Sequence, residues 1–292
     1  MIPNNNLSVL PFYTSLDQQN ARKWWLYGRV YPLYSYAGFL LPFQIITDHH
    51  PNWTTSNLRP VQIIDANTNQ VVADITIQMR SAIVKKEFAA LGYDVWVYSG
   101  QMQIINSLPN GRYYIMIVWG FAYYSEIFTV VNDIQPYLKI EWYDDADFVM
   151  DAGTIVYESP SFKNVLYLKS DLAKPEYPFE EEGETRDGYF FPIKMISEKR
   201  YRFSFLASEY LLDVMRFIRM ADHATITYHG QTYSLDTFLM TPEWEDNGDV
   251  AAVEAEFDTA TVAKKIGGVL GGTPVQRGDF NNDFNNDFNN QQ

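Results

Sequence analysis

Apolar and polar residues alternate with a period of two over much of this chain, in short runs separated by turn residues. Before residue 132 the runs cover residues 30–36, 39–47, 61–65, 70–78, 93–98, 102–106, 112–120 and 125–131. They are rich in Val, Ile, Tyr and Trp, side chains that suit a pleated, half-buried surface, and so predict strands. In the run 70–78, Val71, Ala73, Ile75 and Ile77 share one face; Asp74, Thr76 and Gln78 share the other. Asp65-Ala-Asn-Thr-Asn69 and Leu108-Pro-Asn-Gly111 are turn clusters, the second with an Asn-Gly pair suited to positive φ. Short strands at regular spacing predict a β-sandwich over residues 1–132.

After residue 132 the pattern mixes β with one helix. Ser208 to Ala221 carries Leu211, Met215 and Ile218 at helical spacing, widened by Leu212, Val214 and Phe217. Ser208 stands at the N-cap position, Glu209 in the first turn, and Arg216 and Arg219 toward the end, as the helix dipole favours. Strands are expected at residues 136–143, 153–157, 165–168, 189–196, 201–206, 225–229, 231–240 and 250–258, with a tight hairpin turn at His229-Gly230-Gln231. Residues 175–186 are polar, acidic and proline-containing and are expected to form an exposed loop.

Charge divides the chain at the same place. Residues 1–132 hold 7 acids and 8 bases, residues 133–258 hold 26 and 11, and residues 259–292 hold 3 of each. The expected organisation is therefore a sandwich domain over 1–132, an acidic barrel-like domain with its helix over 133–266, and a flexible tail over 267–292. The tail is glycine-rich and then repeats Asp-Phe-Asn-Asn three times from Asp279, a pattern that builds no core alone and is expected to stay disordered without a partner.

Composition narrows the chemistry. Of 292 residues 47% are apolar and 20% charged, enough to bury real cores. No cysteine occurs, which excludes disulfides, thiolate metal sites and a cysteine nucleophile. The net charge of −14 argues against a general nucleic-acid binder. Neither a leader segment nor a membrane-length apolar run is apparent, so synthesis in a cytoplasm without membrane insertion is expected.

No candidate for chemistry outweighs a plain structural reading. His49, His50, His223 and His229 fall in no metal-ligand spacing, and adjacent His49 and His50 point to opposite faces of an extended chain. Asp144, Asp145, Asp147 and Asp151 invite calcium, but the glycine and closing glutamate of a calcium loop are missing, so a solvated turn is the default. Glu180-Glu-Glu-Gly-Glu184 reads as a solvated loop. Trp24-Trp25 and Tyr123-Tyr124 suit sugar stacking, or, more simply, core and contact packing. Nucleotide-binding and hydrolase motifs are absent, and a carboxylate pair for glycoside hydrolysis has only acid abundance behind it. No catalytic, cofactor or metal residue is assigned, and the chain is expected not to be an enzyme.

Two stretches carry resemblances. Leu108-Pro-Asn-Gly-Arg-Tyr-Tyr-Ile-Met-Ile-Val followed by Ser125-Glu-Ile-Phe-Thr-Val-Val resembles the last hairpin of immunoglobulin-like domains. Ser197-Glu-Lys-Arg-Tyr-Arg-Phe-Ser-Phe, the helix from Ser208, the hairpin at Gly230 and Met240-Thr-Pro-Glu-Trp-Glu-Asp-Asn-Gly-Asp run strand, helix, strand, strand, strand. That order resembles the β-barrel with a flanking helix of phage tail-tube, distal-tail and baseplate subunits, over residues 133–266. The whole chain also resembles structural proteins of phages and prophages of Bacteroidetes. The resemblance implies a virion structural subunit that forms rings with itself, contacts other virion proteins and lets double-stranded DNA pass without binding it. An acidic lumen, which repels phosphates, fits that role. The alternative expectation is a glycan-binding or host-attachment sandwich module.

Overall fold

The computed structural model describes residues 8–14, 33–36, 38–100, 108–151, 155–244 and 250–265. The described residues are mainly β, with two short helices. Before Asn132 the strands are β1 (Phe12–Tyr13), β2 (Tyr34–Tyr36), β3 (Phe43–Asp48), β4 (Val61–Asp65), β5 (Val71–Asp74), β6 (Ile83–Phe88), β7 (Tyr93–Tyr98), β8 (Gly111–Trp119), β9 (Phe121–Ser125) and β10 (Phe128–Val131), with α1 (Thr76–Ala82) after β5. Beyond it come β11 (Leu138–Tyr143), β12 (Phe148–Asp151), β13 (Ile155–Glu158), β14 (Asn164–Leu168), β15 (Phe179–Arg186), β16 (Tyr189–Ser208), β17 (His223–Tyr228), β18 (Gln231–Ser234), β19 (Thr237–Trp244) and β20 (Val250–Lys265), with α2 (Glu209–Met215) after β16. The expected run 102–106 lies outside the described residues.

The first half is a sandwich. β8 is central to a seven-stranded sheet, pairing with β4 on one side and with β9 and β10 on the other. β10 runs parallel to β2, while β1 and β9 are antiparallel. A three-stranded sheet, β3-β7-β6, packs against it. Phe43 and Trp96 of the smaller sheet and Ile63, Ile115, Ile117 and Trp119 of the larger are buried together.

One expected strand breaks. The run 70–78 forms β5 only as far as Asp74, whose carboxylate accepts from the Thr76 N–H (3.0 Å) and Thr76 Oγ1 (2.6 Å) and so competes with the ladder. The chain then turns into α1. Ile75, Met79 and Ile83, four residues apart, are buried, whereas Ile77 is 76% exposed.

In the second half two four-stranded sheets, β14-β11-β17-β18 and β15-β16-β20-β19, curve as a half-barrel round one core. Alternation sets its inward faces: Leu138, Ile140 and Trp142 on β11, Tyr201, Phe203 and Phe205 on β16. The chain crosses both seams. Between β18 and β19, Leu235 N–H donates to Ala224 O and Asp236 N–H to Asp258 O. Beyond β14, Ala173 and Glu176 donate to Arg202 O and Arg200 O of β16. The hairpin at His229 and Gly230 has φ of 48° and 78°, the left-handed pair a two-residue turn needs.

The helix is shorter than expected. Ser208 is the last residue of β16 and its backbone is extended; its hydroxyl is buried and makes no cap. α2 covers Glu209–Met215 and tightens into a 3-10 turn over Arg216–Arg219. Leu211, Leu212, Val214, Met215 and Ile218 face the core.

Among the described residues no sheet takes strands from both sides of Asn132. The halves are nevertheless packed together. Ile46, Val95 and Val97 of the three-stranded sheet share a buried cluster with Tyr157 and Phe162, and Gln44 Oε1 accepts from the Tyr157 N–H at 3.1 Å. Tyr34 meets Tyr137, and Tyr36 meets Tyr167 edge-on.

Candidate assembly surface

The segment expected to be a loop is a strand. β15 pairs with β16 from Phe179↔Ser197 to Arg186↔Tyr189, closing on Asp187 and Gly188 with φ of 51° and 82°. Asp-Gly between two extended runs is the strongest short-range hairpin signal in a sequence. The acidic composition of residues 180–184 masked it. Like charges only weaken a strand that can stay solvated on one edge.

This hairpin is an arm. Among the described residues β20 pairs with β16 as far as Lys194↔Lys265, and residues 183–193 stand beyond it as a two-stranded ribbon. No residue from 169 to 200 is fully buried. Yet Tyr177, Phe179, Tyr189, Phe190 and Ile193 are large, apolar and exposed, Phe179 by 56% and Tyr189 by 72%. A two-stranded hairpin in water is marginal by itself. Exposed apolar side chains clustered on such an element mark a contact surface rather than scattered surface hydrophobics.

Register fixes the arm's faces. Glu180, Glu182, Glu184 and Arg186 lie on one face with Ile196, Lys194, Phe191 and Tyr189 opposite them. Phe179, Glu181 and Thr185 lie on the other, opposite Ser197, Met195 and Phe190. The ladder shifts between Glu182 and Gly183, a bulge that needs glycine. A Cβ on Gly183 would stand 2.2 Å from the Phe191 carbonyl oxygen and 2.8 Å from the Phe190 ring.

The root of the arm is pinned by charge. Arg200 donates from Nε to Asp258 Oδ1 (2.8 Å) and from Nη2 to Asp258 Oδ2 (3.1 Å) and Glu198 (2.9 Å). Thr237 Oγ1 donates to Asp258 Oδ2 at 2.8 Å. Arg200 holds the Asp258 carboxyl below its usual range, against burial. At the tip, Arg186 pairs with Glu184.

The other candidates serve packing. Asp144 Oδ1 accepts from the Asp222 N–H, Asp145 and His223 are 2.8 Å apart, and Asp147 accepts from Tyr157 OH and pairs with Lys86 at 3.2 Å. Among the described residues no group of three or more His, Asp or Glu is placed to hold a metal ion. Tyr123 is buried and Tyr124 half-buried; Trp24, Trp25 and the repeat from Asp279 lie outside the described residues.

Asp94, Glu126, Glu158 and Asp258 are buried carboxyls that the sequence pattern does not single out, and Asp94 and Glu158 are shifted in opposite directions. Asp94, fully buried on β7, meets His49 Nδ1 (2.8 Å), the His50 N–H (2.7 Å) and Lys85 Nζ (3.2 Å). Burial acts to raise it, but those three donors outweigh burial and hold it below its usual range. Glu158 ends β13 with both oxygens accepting from Asn164 Nδ2, at 2.9 and 2.8 Å. Burial, with the nearby Asp144 charge, pushes it up to about 8. Neither could be found from sequence, because each depends on neighbours that the fold brings from other strands.

No helix among the described residues is long and apolar enough to cross a membrane. Compared with models of known protein families and with curated proteins, the chain matches none.

Proposed function

We propose that this protein is a non-enzymatic structural subunit of a phage virion, in the tail, baseplate or connector. It assembles with itself into rings and contacts neighbouring virion proteins. One observation carries the reading: the β15–β16 arm projects exposed Tyr and Phe side chains on a ribbon too thin to bury them itself. The long strand and its following helix keep the start of the order on which the tail resemblance rests, but four strands follow rather than three, because the expected strand 231–240 turns at Leu235 and Asp236 into β18 and β19. In such a ring the acid-rich second half is suited to face passing duplex DNA, repelling its phosphates. Native mass spectrometry with negative-stain imaging of the full chain tests the reading. Closed rings with a central hole are expected. A strict monomer at every concentration up to about 100 µM, far above the Kd of a stable interface, overturns self-assembly.

A second reading is host-glycan binding, favoured by a cleft of about 290 Å³ between the halves. Tyr36, Phe39 and Tyr167 line it beside Lys139, Glu141 and Lys163, giving aromatic faces next to fixed charges. A glycan array on the intact protein tests it: retention that Phe39→Ala abolishes supports it, and no retention removes it.

A further inference from the structure

The sheet that carries the arm has two open edges, and they are chemically opposite. Among the described residues β15 pairs only with β16, which leaves its far edge open there. β19 covers β20 only up to Thr237↔Asp258, and Asp236 Oδ2 accepts the Thr261 N–H at 2.9 Å. Beyond that point residues 262–265 have no strand on their far side among the described residues. The two open stretches lie at one level of the ribbon. Phe179 is in line with Ser197 and Val262, Glu180 with Ile196 and Ala263, Glu181 with Met195 and Lys264, and Glu182 with Lys194 and Lys265.

We infer that β15 of one copy adds to the open edge of β20 in a second copy, continuing the sheet from subunit to subunit. This names the contact behind the self-assembly proposed above and rests on that reading. Since β15 and β20 are both antiparallel to β16, they are parallel to each other, and side-by-side copies join them as a parallel ladder. At equal level the ladder sets Phe179 beside Val262, both exposed now (56% and 64%), and brings the backbone positions of Glu181 and Glu182 level with those of Lys264 and Lys265. Two β15 edges cannot pair this way, because Glu180, Glu181, Glu182 and Glu184 would face their own copies. The contact is therefore heterologous, acidic edge to basic edge, and closes into a ring when the rotation per subunit divides a full turn.

The test uses full-length variants. Glu181→Lys with Glu182→Lys puts lysines at the two positions level with Lys264 and Lys265; Lys264→Glu with Lys265→Glu puts glutamates level with Glu181 and Glu182. Each is expected to weaken assembly roughly tenfold or more, by like-charge juxtaposition; Glu182→Lys also stands opposite Lys194 in its own hairpin, so a small fall in melting temperature is expected of that variant and none of Lys264→Glu with Lys265→Glu. All four changes in one chain restore assembly, and mixing the two double variants gives only even-numbered species. The chain has no cysteine, so Phe179→Cys with Val262→Cys reports the register. Within one chain these positions are two strands apart, about 9–10 Å, beyond the ~7 Å a disulfide spans. Disulfide-linked multimers on a non-reducing gel are thus intermolecular and expected. Assembly of the native sequence with no response to charge reversal, or with no cross-linking, overturns the edge pairing and leaves self-assembly standing. A native sequence that never assembles overturns the self-assembly reading itself.

Discussion

Raising the pH should loosen the joint between the two halves through one carboxyl. Glu158 is buried beside Asn164 and near Asp144, and burial lifts its pKa from 4.5 to about 8. The folded protein therefore holds a proton there that the unfolded chain has already lost. The stabilisation is whole below pH 4.5, declines as pH rises through the interval, and is gone above about 8. One pKa unit is worth about 1.4 kcal/mol, so the interval amounts to roughly 4–5 kcal/mol, a large share of a domain's stability. Ionised, Glu158 would face the Asp144 charge in low dielectric with one amide to solvate it. The neighbouring Tyr157, packed on Ile46, Val95 and Val97, would be released with it.

Urea unfolding of the native protein and of Glu158→Gln, at half-unit steps from pH 5 to 9, measures this. Glutamine keeps the size and cannot ionise. The native stability should fall more steeply than the variant's by about 1.4 kcal/mol per unit below pH 8, and the variant should be the more stable at pH 9. Parallel curves for the two proteins would refute the argument, whatever slope the other groups impose on both.

Asp94→Ala leaves the Lys85 ammonium and the His50 N–H without their buried partner and should cost about 3 kcal/mol or more in urea unfolding. Asp94 and Asp258 both sit below the usual carboxylate range, so the stability they add is present above pH 3.8 and lost as pH falls beneath it; acid unfolding of Arg200→Met, which frees Asp258, should begin at higher pH than in the native protein. Gly183→Ala drives a Cβ into the Phe191 carbonyl, so limited proteolysis should cut the arm within residues 183–193 while the rest of the chain keeps its melting temperature. Gly230→Ala strains a left-handed turn position and should cost about 1 kcal/mol in thermal unfolding.

Local pattern was legible where one face is buried and the turn residues are explicit. Val61–Asp65 and Tyr93–Tyr98 are strands at the residues that alternation predicts, and His229-Gly230 turns as its sequence demands. Pattern failed where side chains or partners override it. The Asp74 carboxylate ends a strand that hydrophobic alternation would continue to residue 78. Residues 189–196 and 201–206 read as two strands because Glu198, Lys199 and Arg200 interrupt the apolar run; in the fold they are one twenty-residue strand, held through that stretch by Arg200 and Asp258. The candidate assembly surface was least legible, since strong acidity reads as solvation until the register shows which edge the acids occupy.

The half-barrel and the arm solve the same problem in opposite ways. A sheet with open edges invites pairing with any other chain. In the half-barrel the chain crosses its own seams: residues 173–176 lie along β16 and the β18–β19 corner joins β17 to β20, so the sheets end on their own backbone. The core strands there alternate cleanly and carry little charge inward, as closed edges permit. Among the described residues that closure stops past Asp258 and Lys194, and the sequence there is charged: glutamates on β15, lysines at the end of β20. Charge on an open edge blocks pairing with itself without blocking pairing with its opposite. Because the two signs lie on different edges of one sheet, the arrangement disfavours a two-fold dimer and favours a directional chain of subunits. Counting subunits tests this directly: closed species, of odd or even number, fit the directional contact, and a dimer that never grows does not.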